Sequence, residues 1–153
     1  MRNKAKIFIL AIAGLLMAAC NRGVIYYHYE HVDEEGWERT DTIHFYIPAV
    51  KEAGSYRQKL LLRTDNSVPF QNLNVTIEQD IYPRDMKLSK SINCILIDKN
   101  GGVNGKGISC FQYAFDMDNV DLYEGDSLHI CVTHNMKRET MPGVNDIGIL
   151  ISK

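Results

Sequence analysis

The feature that most constrains this chain is a period-two alternation of apolar and polar residues that recurs from segment to segment and never gives way to a helical stripe of ten or more residues. In Asp41 to Ile47, Ile43, Phe45 and Ile47 share one face while Thr42, His44 and Tyr46 take the other. Leu60 and Leu62 alternate with Lys59, Leu61 and Arg63, and Leu73, Val75 and Ile77 with Asn74, Thr76 and Glu78. Leu128, Ile130 and Val132 repeat the pattern, as do Ile147, Ile149 and Ile151. Successive side chains of a strand point to opposite faces, so each segment reads as a strand with one buried side. Segments Ile92 to Asp98 and Ile108 to Phe115 flank Asn100-Gly101-Gly102 and Gly105-Lys106-Gly107, which predicts a hairpin with a long tip. With a further strand at Val24 to His31, about eight strands are expected. The apolar positions are mostly β-branched or aromatic and the breaks carry Gly, Pro and Asn, which predicts an all-β, two-sheet sandwich, Ig-like or jelly-roll.

Ahead of this pattern lies a different kind of segment. Arg2, Lys4 and Lys6 precede an apolar run of 13 residues, Ile7 to Ala19, and then Cys20. A bilayer span needs about 20 apolar residues, so the run fits the core of a secretory signal instead. Met17-Ala18-Ala19-Cys20 puts small residues directly before the cysteine, the arrangement a lipoprotein signal peptidase cuts. The expected organisation is a signal peptide over residues 1–19, a lipidated N-terminus and tether over 20–36 that includes part of a first strand, and one domain over 37–153. Several acyl chains on Cys20 would hold the protein on a membrane permanently. Asn21-Arg22-Gly23 follows, with neither an aspartate directly after the cysteine nor an acidic cluster, which favours the periplasmic face of the outer membrane.

The leader carries three of the 17 basic residues and none of the 19 acidic ones, leaving 14 against 19 and a net charge of −5. Such a surface argues against a nucleic-acid partner. With Cys20 taken by lipid, Cys94, Cys110 and Cys131 are an odd set, read as buried free thiols; a single bridge, if formed, would join Cys94 to Cys110 across the hairpin.

Little points to catalysis. His28 and His31, three apart on a strand, face opposite ways, and His44, His129 and His134 have no neighbouring partner, so no metal is expected. Asp116-Met117-Asp118-Asn119-Val120-Asp121 starts like a calcium loop, but its fifth position is Val120 and no Gly occupies the sixth, so it reads as an acidic surface loop. There is no Gly-x-Ser-x-Gly, Ser109-Cys110 has no local histidine, and the Gly101 to Gly107 tip has no following helix to cradle phosphate. No catalytic residue and no cofactor is assigned.

Four motifs occur in order along the chain. Trp37 precedes Asp41-Thr42-Ile43-His44-Phe45. Arg63 leads to Phe70, Asn72 and Leu73. Gly105 and Gly107 form a Gly-x-Gly tip, and Met136-Lys137 precedes the Gly143 to Gly148 turn with Asp146 at its fourth position. From about Trp37 to Lys153 this order resembles the gliding-motility lipoprotein family GldH. The resemblance implies a non-enzymatic envelope component of the gliding and type IX secretion apparatus, whose partners are other envelope proteins. It makes Arg63, Asn72, Met136, Lys137 and Asp146 candidates either for partner binding or for bracing loops through their polar groups. In the lineage of such proteins, Asp41-Thr42-Ile43 and Asp126-Ser127-Leu128 also fit a periplasmic O-glycosylation pattern, with Thr42 and Ser127 turned to solvent. The alternative function is a glycan-binding module, for which Tyr26, Tyr27, Tyr29, Tyr46 and Trp37 would supply an aromatic platform.

Cys20→Ser is expected to abolish acylation, since only the cysteine sulfur accepts the diacylglycerol thioether. Metabolic labelling with radioactive palmitate checks this; a labelled serine variant still in the membrane fraction would contradict it.

Overall fold

The computed structural model describes residues 23–153, and within them the alternating segments pair into two antiparallel sheets. The strands are β1 (Val24–His31), β2 (Trp37–Glu38), β3 (Ile43–Ile47), β4 (Gly54–Asp65), β5 (Asn72–Tyr82), β6 (Met86–Ile95), β7 (Cys110–Asp116), β8 (Val120–Leu122), β9 (Ser127–His134), β10 (Thr140–Met141) and β11 (Val144–Ser152). The first sheet runs β1-β11-β4-β7, and β8 pairs with the opening residues of β4. The second runs β3-β9-β5-β6, and β10 and β2 form a separate ribbon. Eleven strands replace the eight expected, the additions being the short β2, β8 and β10. Among the described residues no helix is long and apolar enough to cross a membrane.

Period-two patterning places the core between the sheets. Leu60 and Leu62 of β4 with Ile147, Ile149 and Ile151 of β11 face Phe45 of β3, Val75 and Ile77 of β5, and Ile130 and Val132 of β9, all nearly devoid of exposure. Ile43 packs against the same core from its edge, half-buried. Trp37 and Met141 lie opposite each other in the ribbon and close one end of the sandwich, with the indole N–H donating to the Asp41 carbonyl at 3.0 Å.

Two expectations are corrected. β6 and β7 are not a hairpin: β6 pairs only with β5 and β7 only with β4, so the chain crosses from one sheet to the other between them. The physical reason lies in residues 96–109, which carry ladder contacts of their own. Leu96 is buried and its N–H donates to the Gln71 carbonyl, Ile97 bridges to Val103, and Lys106 bridges to Gln112 on the free edge of β7. Asn100-Gly101-Gly102 forms only a local turn, with the Asp98 carboxylate accepting from the N–H groups of Asn100 and Gly102. Gly107 is required here, because at φ +141 a Cβ would fall 1.9 Å from the Cys110 carbonyl oxygen.

The second correction concerns the thiols. Cys94, Cys110 and Cys131 are free as expected, but only Cys94 is buried; Cys110 is exposed and Cys131 half-buried. Cys110 pairs with Asp65 on the face away from the core, and its separation from Cys94 into another sheet removes the proposed bridge. Burial pushes the Cys94 thiol up to about 12, which leaves it protonated and inert. The segment expected to act partly as a tether contributes β1, hydrogen-bonded to β11 along its length. The expected signal peptide over residues 1–19 and the expected lipidation site Cys20 lie outside the described residues.

Phe45, opposite Ile130 and 1% exposed, sits on the inner face of β3, an edge strand of the second sheet, wholly within the core. Phe45→Ala is expected to cost about 3–5 kcal/mol, read as a lowered midpoint in urea with unchanged slope.

Candidate functional site

Antiparallel register sorts the outward side chains of the first sheet into three rows. Tyr27, Leu150, Lys59 and Asp116 form one; Tyr29, Gly148, Leu61 and Ala114 the next; His31, Asp146, Arg63 and Gln112 the third. The middle row makes a trough because Gly148 and Ala114 have little or no side chain. A Cβ on Gly148 would lie 2.7 Å from Cδ1 of Tyr29, so glycine is what allows the tyrosine to fold down across β11. Leu61 points outward yet is only 5% exposed, which shows how closely this face is covered. A groove of about 660 Å³ results, lined in part by Tyr27, Tyr29, Leu61, Ala114, Gln112 and Lys106.

A charged cluster adjoins the groove at Tyr29. The Arg63 guanidinium lies 3.9 Å from the centre of the Tyr29 ring, a cation–π contact. Asp146 receives Arg63 at 3.7 Å and His31 Nδ1 at 3.1 Å. Tyr27 meets Tyr29 edge to face at 5.7 Å. Burial, and then Tyr27, raise the Tyr29 hydroxyl above the ordinary tyrosine range despite Arg63, so the phenol is a neutral donor at physiological pH. Aromatic rings and an apolar floor thus lie next to one arginine–aspartate pair on this face.

The remaining family-pattern candidates lie elsewhere. Asn72 opens β5 in the second sheet and donates from Nδ2 to Asn93 Oδ1 at 2.8 Å. Met136, half-buried at the end of β9, turns its sulfur to the Asn74 N–H at 3.3 Å and packs against the core. Lys137 is exposed on the following loop. The five candidates therefore divide: Arg63 and Asp146 pair on the first sheet's outer face beside the groove, Asn72 and Met136 make hydrogen bonds within and beside the second sheet, and Lys137 stands exposed on its loop. Thr42 and Ser127 are both half-buried rather than freely exposed. Asp126, ahead of Ser127, is buried, held by Arg84 at 2.6 Å and accepting the Tyr123 N–H at 2.8 Å.

A third constellation joins residues far apart in the chain. On the outer face of the second sheet His44 stands opposite Cys131, with His129 two residues away on the same strand. His44 Nδ1 lies 3.0 Å from His129 Nε2, and Cys131 Sγ lies 3.3 Å and 3.5 Å from those atoms. Tyr46 stacks on His129 at 4.5 Å, nearly parallel. Burial first, then Asp80 and Glu78, raise the Cys131 thiol. No linear spacing signals this cluster because His44 and His129 are 85 residues apart; only the β3–β9 register could have found it.

With this geometry in place, comparison with known proteins identifies the family: residues 24–151 match the GldH lipoproteins. The chain belongs to the GldH lipoprotein family. No curated protein sequence matches it. Among solved structures it is similar to the Cry4Aa toxin of Bacillus thuringiensis, with TM-score 0.48, 10% identity, and 82% of this chain matched to 21% of that one. It is also similar to a family 35 carbohydrate binding module from Clostridium thermocellum, with TM-score 0.42, 14% identity, and 80% of this chain matched to 78% of that one. This GldH-family chain thus spans about a fifth of the length of the toxin.

His134, which ties the second sheet to Trp37, yields a pH prediction. Its Nε2–H donates to the Trp37 carbonyl at 3.2 Å, its Nδ1 accepts the Met136 N–H at 3.4 Å, and its ring packs edge-on against the indole. Both ring nitrogens are satisfied only in the neutral form, and burial holds the pKa below the ordinary 6.5. The unfolded chain then binds the proton first as pH falls, so stability present above about pH 6.5 is lost below it. Thermal melts between pH 7.5 and 5 should show this decline, and His134→Gln, which cannot titrate, should reduce its slope.

Proposed function

We propose that this GldH-family lipoprotein is a non-enzymatic component of the gliding motility and type IX secretion envelope machinery, acting by protein–protein interaction. In this reading Cys20 carries the lipid and holds the domain on the periplasmic face of the outer membrane. The observation that carries the reading is the family match across residues 24–151, nearly all of the described sandwich. The groove on the first sheet supports it, since an apolar floor with aromatic walls, Lys106 in its lining and Arg63 beside it is the composition of a protein-binding patch.

The glycan-binding alternative needs one aromatic platform. Trp37 is fully buried, Tyr26 packs against the core, and the exposed rings divide between the sheets, with Tyr27 on one and Tyr46 on the other. Tyr27 and Tyr29 meet edge to face at the groove rather than as one flat platform, and Tyr46 lies on the opposite sheet.

Tyr27 and Lys106 are exposed groove residues, so Tyr27→Ala with Lys106→Glu should change stability by no more than about 0.5 kcal/mol per site. In the native host the double variant, equally abundant and equally membrane-bound, should lose colony spreading and secretion of type IX substrates as a deletion strain does. Normal spreading and secretion in the deletion strain would overturn the assigned machinery. Loss in the deletion strain but not in the groove variant would move the interaction to another face.

A further inference from the structure

We propose that His44, His129 and Cys131 form a binding site for a divalent transition metal of the zinc type on the outer face of the second sheet. The argument begins with the ligand atoms. A tetrahedral zinc, with Zn–N of about 2.0–2.1 Å and Zn–S of about 2.3 Å, separates its ligands by about 3.3 Å from N to N and about 3.6 Å from N to S. The three atoms here stand 3.0 Å, 3.3 Å and 3.5 Å apart, within a few tenths of one face of that tetrahedron. All three side chains rise from the paired strands β3 and β9, so the triangle is held by a rigid ladder rather than by loops.

The surroundings favour a cation. Register places Glu78 of β5 beside Cys131 and Asp80 beside His129, giving two carboxylates next to the three ligands. A depression of about 230 Å³ bordered by Glu78, Asp80, Lys87 and Cys131 leaves space beside the sulfur for a fourth ligand. Lys87, 3.4 Å from Asp80, partly offsets the acidic charge. Tyr46, stacked on His129, fixes the plane of that ring. Two imidazoles and a thiolate suit a borderline-soft ion, and hard ions such as magnesium and calcium prefer an all-oxygen set. On binding, the Cys131 S–H bond breaks, its proton passes to water, and the thiolate sulfur donates its electron pair to the metal; the imidazoles bind as neutral donors. Three protein ligands leave the fourth position open to water or to a group from a partner.

The test uses the full chain purified from membranes in detergent, without a histidine tag and with Cys110→Ser to remove the exposed competing thiol. Titration with cobalt(II) should give one equivalent of tetrahedral cobalt absorption together with a thiolate-to-cobalt charge-transfer band, both removed by added zinc. Cys131→Ser should abolish the charge-transfer band, and His129→Ala should weaken binding by at least about tenfold. Because protons compete for all three ligands, affinity should fall as pH is lowered. Zinc should raise the thermal midpoint of the parent protein and not that of either variant, while circular dichroism confirms that each metal-free variant is folded. Absence of a cobalt spectrum in the parent protein, or cobalt binding by Cys131→Ser with an unchanged spectrum, overturns the site.

Discussion

A pair of buried amides between the two sheets sets the alignment on which everything else depends. Gln58 of β4 and Gln79 of β5 exchange reciprocal hydrogen bonds across the core, Nε2 to Oε1 at 2.9 Å in one direction and 3.1 Å in the other, and they are 2% and 8% exposed. A buried amide without a partner costs about 1–3 kcal/mol, so sliding one sheet over the other would strand two such groups in an apolar interior. The aliphatic side chains of the core around them, Leu60 and Ile77 among them, are held by non-directional contacts that would tolerate several offsets. The glutamine pair selects one. Its place on β4 gives it leverage, because β4 is bonded to β11 on one side and to β7 and β8 on the other.

Once the sheets are aligned, their outer faces are determined by register, and the two faces have different chemistry. The first presents small residues in its middle row, so Tyr29 lies flat and Arg63 stacks upon it, leaving a groove with an apolar floor. Across the second sheet, His44, Cys131, Glu78 and Ser89 form one row and Tyr46, His129, Asp80 and Lys87 the next. These rows are polar and titratable and hold no comparable apolar floor. The groove lies on the first face and the histidine–cysteine cluster on the second, and the core between them lets a substitution on one leave the other in place.

The inner faces were readable in the amino-acid sequence because burial repeats at a fixed period: Ile43, Phe45, Leu60, Leu62, Val75, Ile77, Ile130, Val132, Ile149 and Ile151 all reach the core. The family pattern was readable for the same reason, being a linear order of motifs. What linear order does not carry is which strand lies beside which. Asn100-Gly101-Gly102 is turn chemistry wherever it occurs, so it could not show that β6 and β7 part to different sheets. Arg63 and Asp146 were separate candidates until β4 and β11 paired, and His44, His129 and Cys131 had no visible relation until β3 met β9. Trp37 was misplaced among surface aromatics because a two-residue strand has too little pattern to reveal its inward face.

The position of β1 bears on what the groove can meet. Val24, its first residue, follows Cys20 by four residues, a reach of at most about 14 Å of extended chain. With the lipid proposed at Cys20, the start of β1 is confined near the bilayer surface, and Tyr27 and Tyr29 lie about 10–17 Å further along the strand. The exposed Val24 and Ile25 border a second depression with Pro48 and Ala49, beside the charged Lys51, Glu52 and Lys153, so the end of the domain nearest the proposed anchor is mixed in character. A free-floating periplasmic partner would gain nothing from so short a tether. A partner that is itself held at the membrane would meet the groove at an effective concentration raised by the shared surface, so a weak contact would suffice.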